Sequence, residues 1–127
     1  MTDENNNFEA RLLTPNDYKA FASVYNDFRD RAVTEYNFEL EPLDFDGFTE
    51  AVGKKLIECL VLYDNTIPVA FLVYTTAISE AIELNIIHSF KMENMVERAM
   101  YLIKKFLELT KAERLDKIVC YPMLGSQ

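Results

Sequence analysis

The stretch ISEAIELNIIHSFKMENMVERAMYLIKKFLELTKAERLDKIVCY, from Ile78 to Tyr121, decides the fold. Ile78 to Ser89 reads as a β-strand and roughly Asn94 to Ala112 as a long α-helix. The helical spacing puts Val96, Met100, Ile103, Phe106 or Leu107, and Thr110 along an inner face, with Glu97, Lys104, Lys105, Glu108 and Lys111 outside. Leu115 to Tyr121 is strand-like again and stops at Pro122. A strand, a long helix and a strand make a βαβ crossover, so the two strands should lie parallel.

Upstream, Leu56 to Tyr63 and Ile67 to Thr75 are two apolar runs joined by Asp64-Asn65-Thr66. Asn and Asp tolerate left-handed turn conformations, which predicts a hairpin. Both runs are apolar nearly throughout, as expected of strands covered on both faces. Before them come two helices. Thr14-Pro15-Asn16-Asp17 is a helix start, with Thr14 as cap, Pro15 at the first position and Asp17 facing the positive end of the helix dipole. Tyr18, Phe21, Tyr25 and Phe28 then form one buried stripe, and the helix ends near Arg31 to Val33. After the linker Thr34 to Leu43, Asp44 starts a shorter helix with Phe45, Phe48 and Val52 on its buried side and Gly53 as its stop. Phe8 to Leu13 is a short first strand, preceded by polar residues 1–7 that are expected to be disordered. The order β-α-α-β-β-β-α-β fits one domain, residues 1–127, with no internal repeat.

Composition narrows the function. The chain has 127 residues, half of them hydrophobic, with nine Phe, seven Tyr, no Trp and three Gly. So few glycines leave little material for a Gly-rich phosphate loop. A net charge of −8 argues against nucleic-acid binding, which needs clustered Lys and Arg. That acidity either attracts a cationic substrate such as an amine or simply keeps the protein soluble. No signal segment and no apolar run of about 20 residues is visible, so a cytoplasmic location without membrane attachment is expected. Cys59 and Cys120 sit among aliphatic residues and are expected to be buried, reduced thiols. No CxxC, HExxH or clustered His, Asp and Glu pattern is present, so no metal is expected.

The order of elements resembles the GNAT superfamily of N-acetyltransferases from its first strand to its fifth. Ile67-Pro68-Val69-Ala70-Phe71 is similar to the family's P-V-G-F entry into the third strand, with Ala70 in place of Gly. The family's acyl-CoA sequence (hydrophobic, x, Pro, two residues, Arg or Gln, x, x, Gly, x, Gly or Ala) falls on Ile86 to Val96. His88 then stands at the Pro, Lys91 at the Arg, and Asn94 and Val96 at the two small positions.

The resemblance implies an α/β (α+β) mixed sheet and acetyl-CoA or another acyl-CoA as cofactor. Backbone groups of Ile86, Ile87 and His88 would pair with the pantetheine arm in the manner of a β-strand. Lys91, Asn94, Met95 and Val96 would surround the pyrophosphate at the helix N-terminus. Asn94 can substitute for Gly in a left-handed position. Val96 is bulky where closeness is needed, and Glu93 and Glu97 each oppose a polyanion by on the order of 1 kcal/mol. Glu80 or Glu83 would be the general base, the alternative for both being a solvated strand-edge carboxylate. His88 is catalytic or a packing residue; Cys120 is a nucleophile only with a nearby base, and otherwise inert.

The family's general acid, a Tyr or Ser after the fifth strand, finds no position before Gln127. The expectation is therefore a fold lacking its usual C-terminal helix and two strands. Two functions follow. One is an acyl-CoA-dependent N-acyltransferase acting on a small-molecule or peptide amine, or the N-terminal part of a longer enzyme of that kind. The other is a non-catalytic module, a pseudoenzyme that works by protein–protein contact or by homodimerisation through the open fifth strand.

Overall fold

A computed structural model of the chain describes residues 7–34, 44–75, 81–110 and 117–120. Its elements are β1 (Phe8–Leu12), α1 (Tyr18–Thr34), α2 (Phe45–Gly53), β2 (Glu58–Asp64), β3 (Ile67–Thr75), β4 (Ala81–Ser89), α3 (Met95–Thr110) and β5 (Lys117–Cys120). The five strands form one sheet in the order β1-β2-β3-β4-β5. Neighbours from β1 to β4 are antiparallel, and β4 and β5 are parallel, as the long crossover helix requires.

The β2–β3 hairpin closes on Asn65 and Thr66, with φ of 57° and 74°. Positive φ at both central residues is what a tight hairpin turn with the right twist demands. Asn accepts that conformation readily, whereas β-branched Thr66 holds it under strain. The Asn65 N–H donates to the Asn7 carbonyl at 3.0 Å, which ties the start of β1 to this turn.

Cys59 to Tyr63 of β2 and Ala70 to Tyr74 of β3 are buried throughout, so both strands are covered on both faces. One face carries Cys59, Val61, Tyr63, Phe71 and Val73 against Phe21, Val24, Tyr25 and Phe28 of α1 and Phe48 of α2. The aromatic rings there interlock. Tyr25 stacks on Phe48 with centroids 4.3 Å apart, and Phe71 meets Phe21 edge-on at 5.1 Å. Burial pushes the Tyr25 hydroxyl up to about 12 and raises the Cys59 thiol well above its ordinary range, so both stay protonated at neutral pH. The other face carries Leu60, Leu62, Ala70, Leu72, Tyr74, Leu84 and Ile87 against α3.

Two local expectations change, at Thr14 and on α3, while those for α2 hold. Thr14 does not cap through its side chain; a 3₁₀ turn over Pro15–Asp17 precedes α1, and the Thr14 hydroxyl donates to Asp17 instead. Asp17 also accepts from Arg11 at 3.2 Å and from the Tyr63 hydroxyl at 3.0 Å, which staples α1 to β1 and β2. Asp44 caps α2, accepting from the Gly47 N–H at 2.8 Å, and the helix ends at Gly53 as expected, with left-handed Lys55 two residues further on. On α3 the inner face is Ala99, Leu102, Phe106 and Thr110, and Val96 and Met100 point outward at 74% and 65% exposure. The helix is apolar on several stripes, and its docking on Leu84 and Ile87 selects one of them.

Candidate functional site

The site begins with one extra residue. Val73 pairs with Ile86 but Tyr74 pairs with Leu84, so Asn85 is a bulge in β4. Leu84 and Ile87 consequently face α3, while Ile86 and His88 face α1. A bulge bends its strand and sharpens the local twist. The pairing of β4 with β5 runs from Ala81↔Lys117 to Leu84↔Cys120 and covers only the residues before the bulge. After it, Ile86, Ile87 and His88 pair with Val73, Leu72 and Phe71 on β3. None of the described residues pairs with them on the side of β5.

β4 then enters α3 through a short left-handed loop. A 3₁₀ turn over Phe90–Met92 is followed by Glu93 and Asn94, and Lys91, Met92 and Asn94 have φ of 54°, 61° and 47°. Three non-glycine residues with positive φ in four positions are costly, and such concentrations occur where the surrounding structure over-determines the backbone. The Asn94 carbonyl accepts the Arg98 N–H at 2.9 Å, so Asn94 opens α3. Helix geometry leaves the first-turn N–H groups that follow without intrahelical partners.

Beneath this loop lies a polar cluster that no local sequence pattern marks. His88, fully buried, bonds through Nε2 to Asp27 Oδ2 of α1 at 2.8 Å. The Lys91 backbone N–H donates to the same Oδ2 at 2.7 Å. Arg31 Nε lies 3.4 Å from Asp27 Oδ1, one helical turn along α1. Burial alone would raise the Asp27 pKa. The Lys91 N–H, the His88 ring and the Arg31 charge more than offset it, and the carboxyl ends below its ordinary value. For His88 burial dominates and holds the pKa below 6.5, although Asp27 pulls the other way. At neutral pH the pair is therefore carboxylate and neutral imidazole. An ionised carboxylate only accepts, so Nε2 carries the ring proton.

On the opposite face Arg98, in the first turn of α3, is buried. Its Nη1 donates to Ser89 Oγ at 3.0 Å and to the Val69 carbonyl at 3.4 Å, and its Nε is buried with no hydrogen-bond partner among the described residues. The Ser89 hydroxyl donates to the Glu93 carbonyl. Ser89 and Arg98 thus brace the loop from the α3 side as Asp27 braces it from the α1 side.

The residues singled out in the sequence divide accordingly. Ile86, Ile87 and His88 occupy the half of β4 beyond the bulge. Lys91 and Asn94 are exposed left-handed loop residues. Met95 packs toward the sheet, while Val96 turns outward and, with Glu97, Met100, Tyr101 and Lys104, lines an open depression of about 690 Å³ on α3. Glu83 lies in β4 opposite Thr75 and Val119, and Glu80 lies outside the described residues. The structure brings the β4 and loop residues together and adds Asp27, Arg31 and Arg98. A lone His in an apolar strand was the available signal, because a buried imidazole needs a polar partner. Among the described residues no group of His, Cys, Asp and Glu could hold a metal ion, and no helix is long and apolar enough to cross a membrane.

No protein-family model matches the sequence. No curated protein matches it in sequence. Solved structures do match its fold. A ribosomal-protein-alanine N-acetyltransferase from Brucella melitensis biovar Abortus 2308 superposes with a TM-score of 0.70 at 15% identity, covering 90% of this chain and 79% of that one. A predicted acetyltransferase from Clostridium acetobutylicum, solved with acetyl-CoA, gives 0.66 at 12% identity over 93% of this chain and 83% of that one. An aminoglycoside acetyltransferase from an uncultured soil metagenomic sample, in complex with sisomicin, gives 0.65 at 14% identity over 91% and 78%. The chain has a GNAT-like fold.

Proposed function

We propose that this domain binds an acyl-CoA at the β4–α3 junction and serves as an N-acyltransferase-like domain toward an amine. The single observation that carries this reading is the bulge at Asn85, after which the backbone of Ile86, Ile87 and His88 has no described strand neighbour on the β5 side. An extended pantetheine arm can pair with such an edge as a strand would. The cofactor's pyrophosphate then meets the first-turn N–H groups of α3, where the helix dipole favours anions. Lys91 is an exposed cation beside that position, Asn94 supplies the left-handed turn, and Met95 and Val96 contribute backbone donors. Glu83, on the same strand, is the described candidate for a general base, with Glu80 preceding it in sequence. One neighbour of the same fold was solved with acetyl-CoA and another with an aminoglycoside amine, which supports the two ligand classes.

Isothermal titration of the full chain with acetyl-CoA and with CoA tests the binding. Micromolar to submillimolar affinity is expected, and no heat at millimolar ligand overturns the proposal.

A second reading is favoured by Val96 and the flanking glutamates. Val96, Glu93 and Glu97 are exposed around the position the pyrophosphate would take, adding bulk and negative charge. In this reading the domain is a non-catalytic module that pairs with a second copy through β5, the last strand in the sheet order. Sedimentation equilibrium at high micromolar concentration separates the readings: a dimer with no CoA heat supports the second, and a monomer that binds CoA supports the first.

A further inference from the structure

We propose that Asp27 is the positioning residue of the β4–α3 loop, a carboxylate on α1 that holds the loop's left-handed backbone in the form that receives a phosphate-bearing ligand. The inference rests on the acyl-CoA reading for its ligand and on the geometry beneath the loop for everything else. Lys91, Met92 and Asn94 all have positive φ without being glycine, so the loop does not adopt this shape by local preference. Something outside must select it. From the α1 side the contact is the 2.7 Å hydrogen bond from the Lys91 N–H to Asp27 Oδ2, which catches the loop at its first left-handed residue, whereas Ser89 and Arg98 brace it further on, at Glu93.

Asp27 is itself fixed. Its Oδ2 also accepts from His88 Nε2 at 2.8 Å, and its Oδ1 lies against Arg31. His88 is wedged between Phe28 and Phe71, with ring centroids 5.5 and 5.8 Å away. The carboxylate is therefore anchored to the aromatic layer on one side and holds the loop on the other. A charged acceptor suits the task, because hydrogen bonds to ionised groups are about twice as strong as neutral ones. The groups facing Asp27 are Arg31 on α1, His88 on β4 and the Lys91 backbone of the loop. Asp27 touches no expected ligand atom, so its effect on binding acts through the backbone it positions.

Two measurements on the full chain test this. The first is amide hydrogen exchange by NMR in the free protein. In the wild type the Lys91 amide is expected to be protected. Asp27→Ala should abolish that protection while leaving strand amides such as Leu72 unchanged, and Asp27→Asn, which keeps an acceptor oxygen, should restore part of it. General destabilisation would move Lys91 and Leu72 together, and that result overturns the proposal. So does a Lys91 amide that exchanges freely in the wild type. The second is titration with CoA. Asp27→Ala is expected to weaken binding about tenfold, since losing a charge-assisted hydrogen bond costs roughly that factor. Equal CoA affinity in wild type and Asp27→Ala overturns the positioning role while leaving the acyl-CoA reading intact. A wild type that binds no CoA overturns the acyl-CoA reading, and the exchange result then decides the loop clamp by itself.

Discussion

The aromatic layer under α1 and the β4–α3 junction share residues yet obey different rules. In the first, Phe21, Tyr25, Phe28, Phe48 and Phe71 recur at helix and strand spacings, sit in full burial and satisfy one another. In the second, between Asn85 and Arg98, there is a bulge, three left-handed non-glycine residues, a buried imidazole and a buried guanidinium. Local preference and global fold agree in the layer and conflict at the junction. Conflicts of that kind collect where a protein does its work, and the layer supplies the stability that tolerates them.

The largest expected effect lies in the layer. Phe71→Ala removes the ring that meets Phe21, Phe28 and His88, and is expected to cost about 3–5 kcal/mol, enough to unfold a marginal domain. Urea denaturation checks it, and a loss under about 1 kcal/mol would mean the layer is not the anchor described above.

Next comes the dependence on pH. His88 has a folded-state pKa below its ordinary 6.5, mainly through burial, so its neutral form stabilises the fold above pH 6.5. That contribution is lost as pH falls from 6.5 toward the folded value, because the unfolded chain binds the proton more readily. Asp27 is also depressed. Burial opposes the shift, and the Lys91, His88 and Arg31 contacts outweigh it, so its contribution fades only below about its ordinary 3.8. Urea midpoints should therefore fall in two limbs on acidification, and His88→Gln should flatten the upper one. A wild-type midpoint that stays level between pH 8 and pH 5 contradicts the buried neutral imidazole.

A smaller effect sharpens the junction. Asn94→Ala places a Cβ residue of poor left-handed tolerance at φ 47° and should cost about 1–2 kcal/mol, while Asn94→Gly should be close to neutral. Equal costs for the two would show that the loop can escape the left-handed form.

The smallest effect lies on the outer face of α3. Met100→Ser, at a position 65% exposed, should change stability by less than about 0.5 kcal/mol by thermal melting. A larger loss would return Met100 to the inner face that the helical spacing first indicated.

Much of the fold was legible because it rests on short-range rules. The Asn65-Thr66 turn, the Asp44 cap and the stripe Phe21, Tyr25, Phe28 each announce themselves within a few residues. The inner face of α3 was not legible. Val96, Met100, Ile103 and Leu107 compete with Ala99, Leu102 and Phe106 along the same helix, and only the position of β4 decides between them. At the site, the run from Ile86 to Asn94 could be found by its resemblance to a known loop. Asp27 could not, because it lies 61 residues before His88 and nothing in α1 marks it above its neighbour Asp30.

The extra residue in β4 has a consequence in the language of insertions and deletions. A strand deletion normally turns every later side chain to the wrong face. Asn85 is an exception, since Leu84 and Ile86 already occupy successive rungs against Tyr74 and Val73. Removing it would leave Ile87 under α3 and His88 beside Asp27, but would take out the bend that goes with the bulge. Deleting this one residue thus keeps every later side chain of β4 on its own face, and so would separate folding from the ligand binding proposed above.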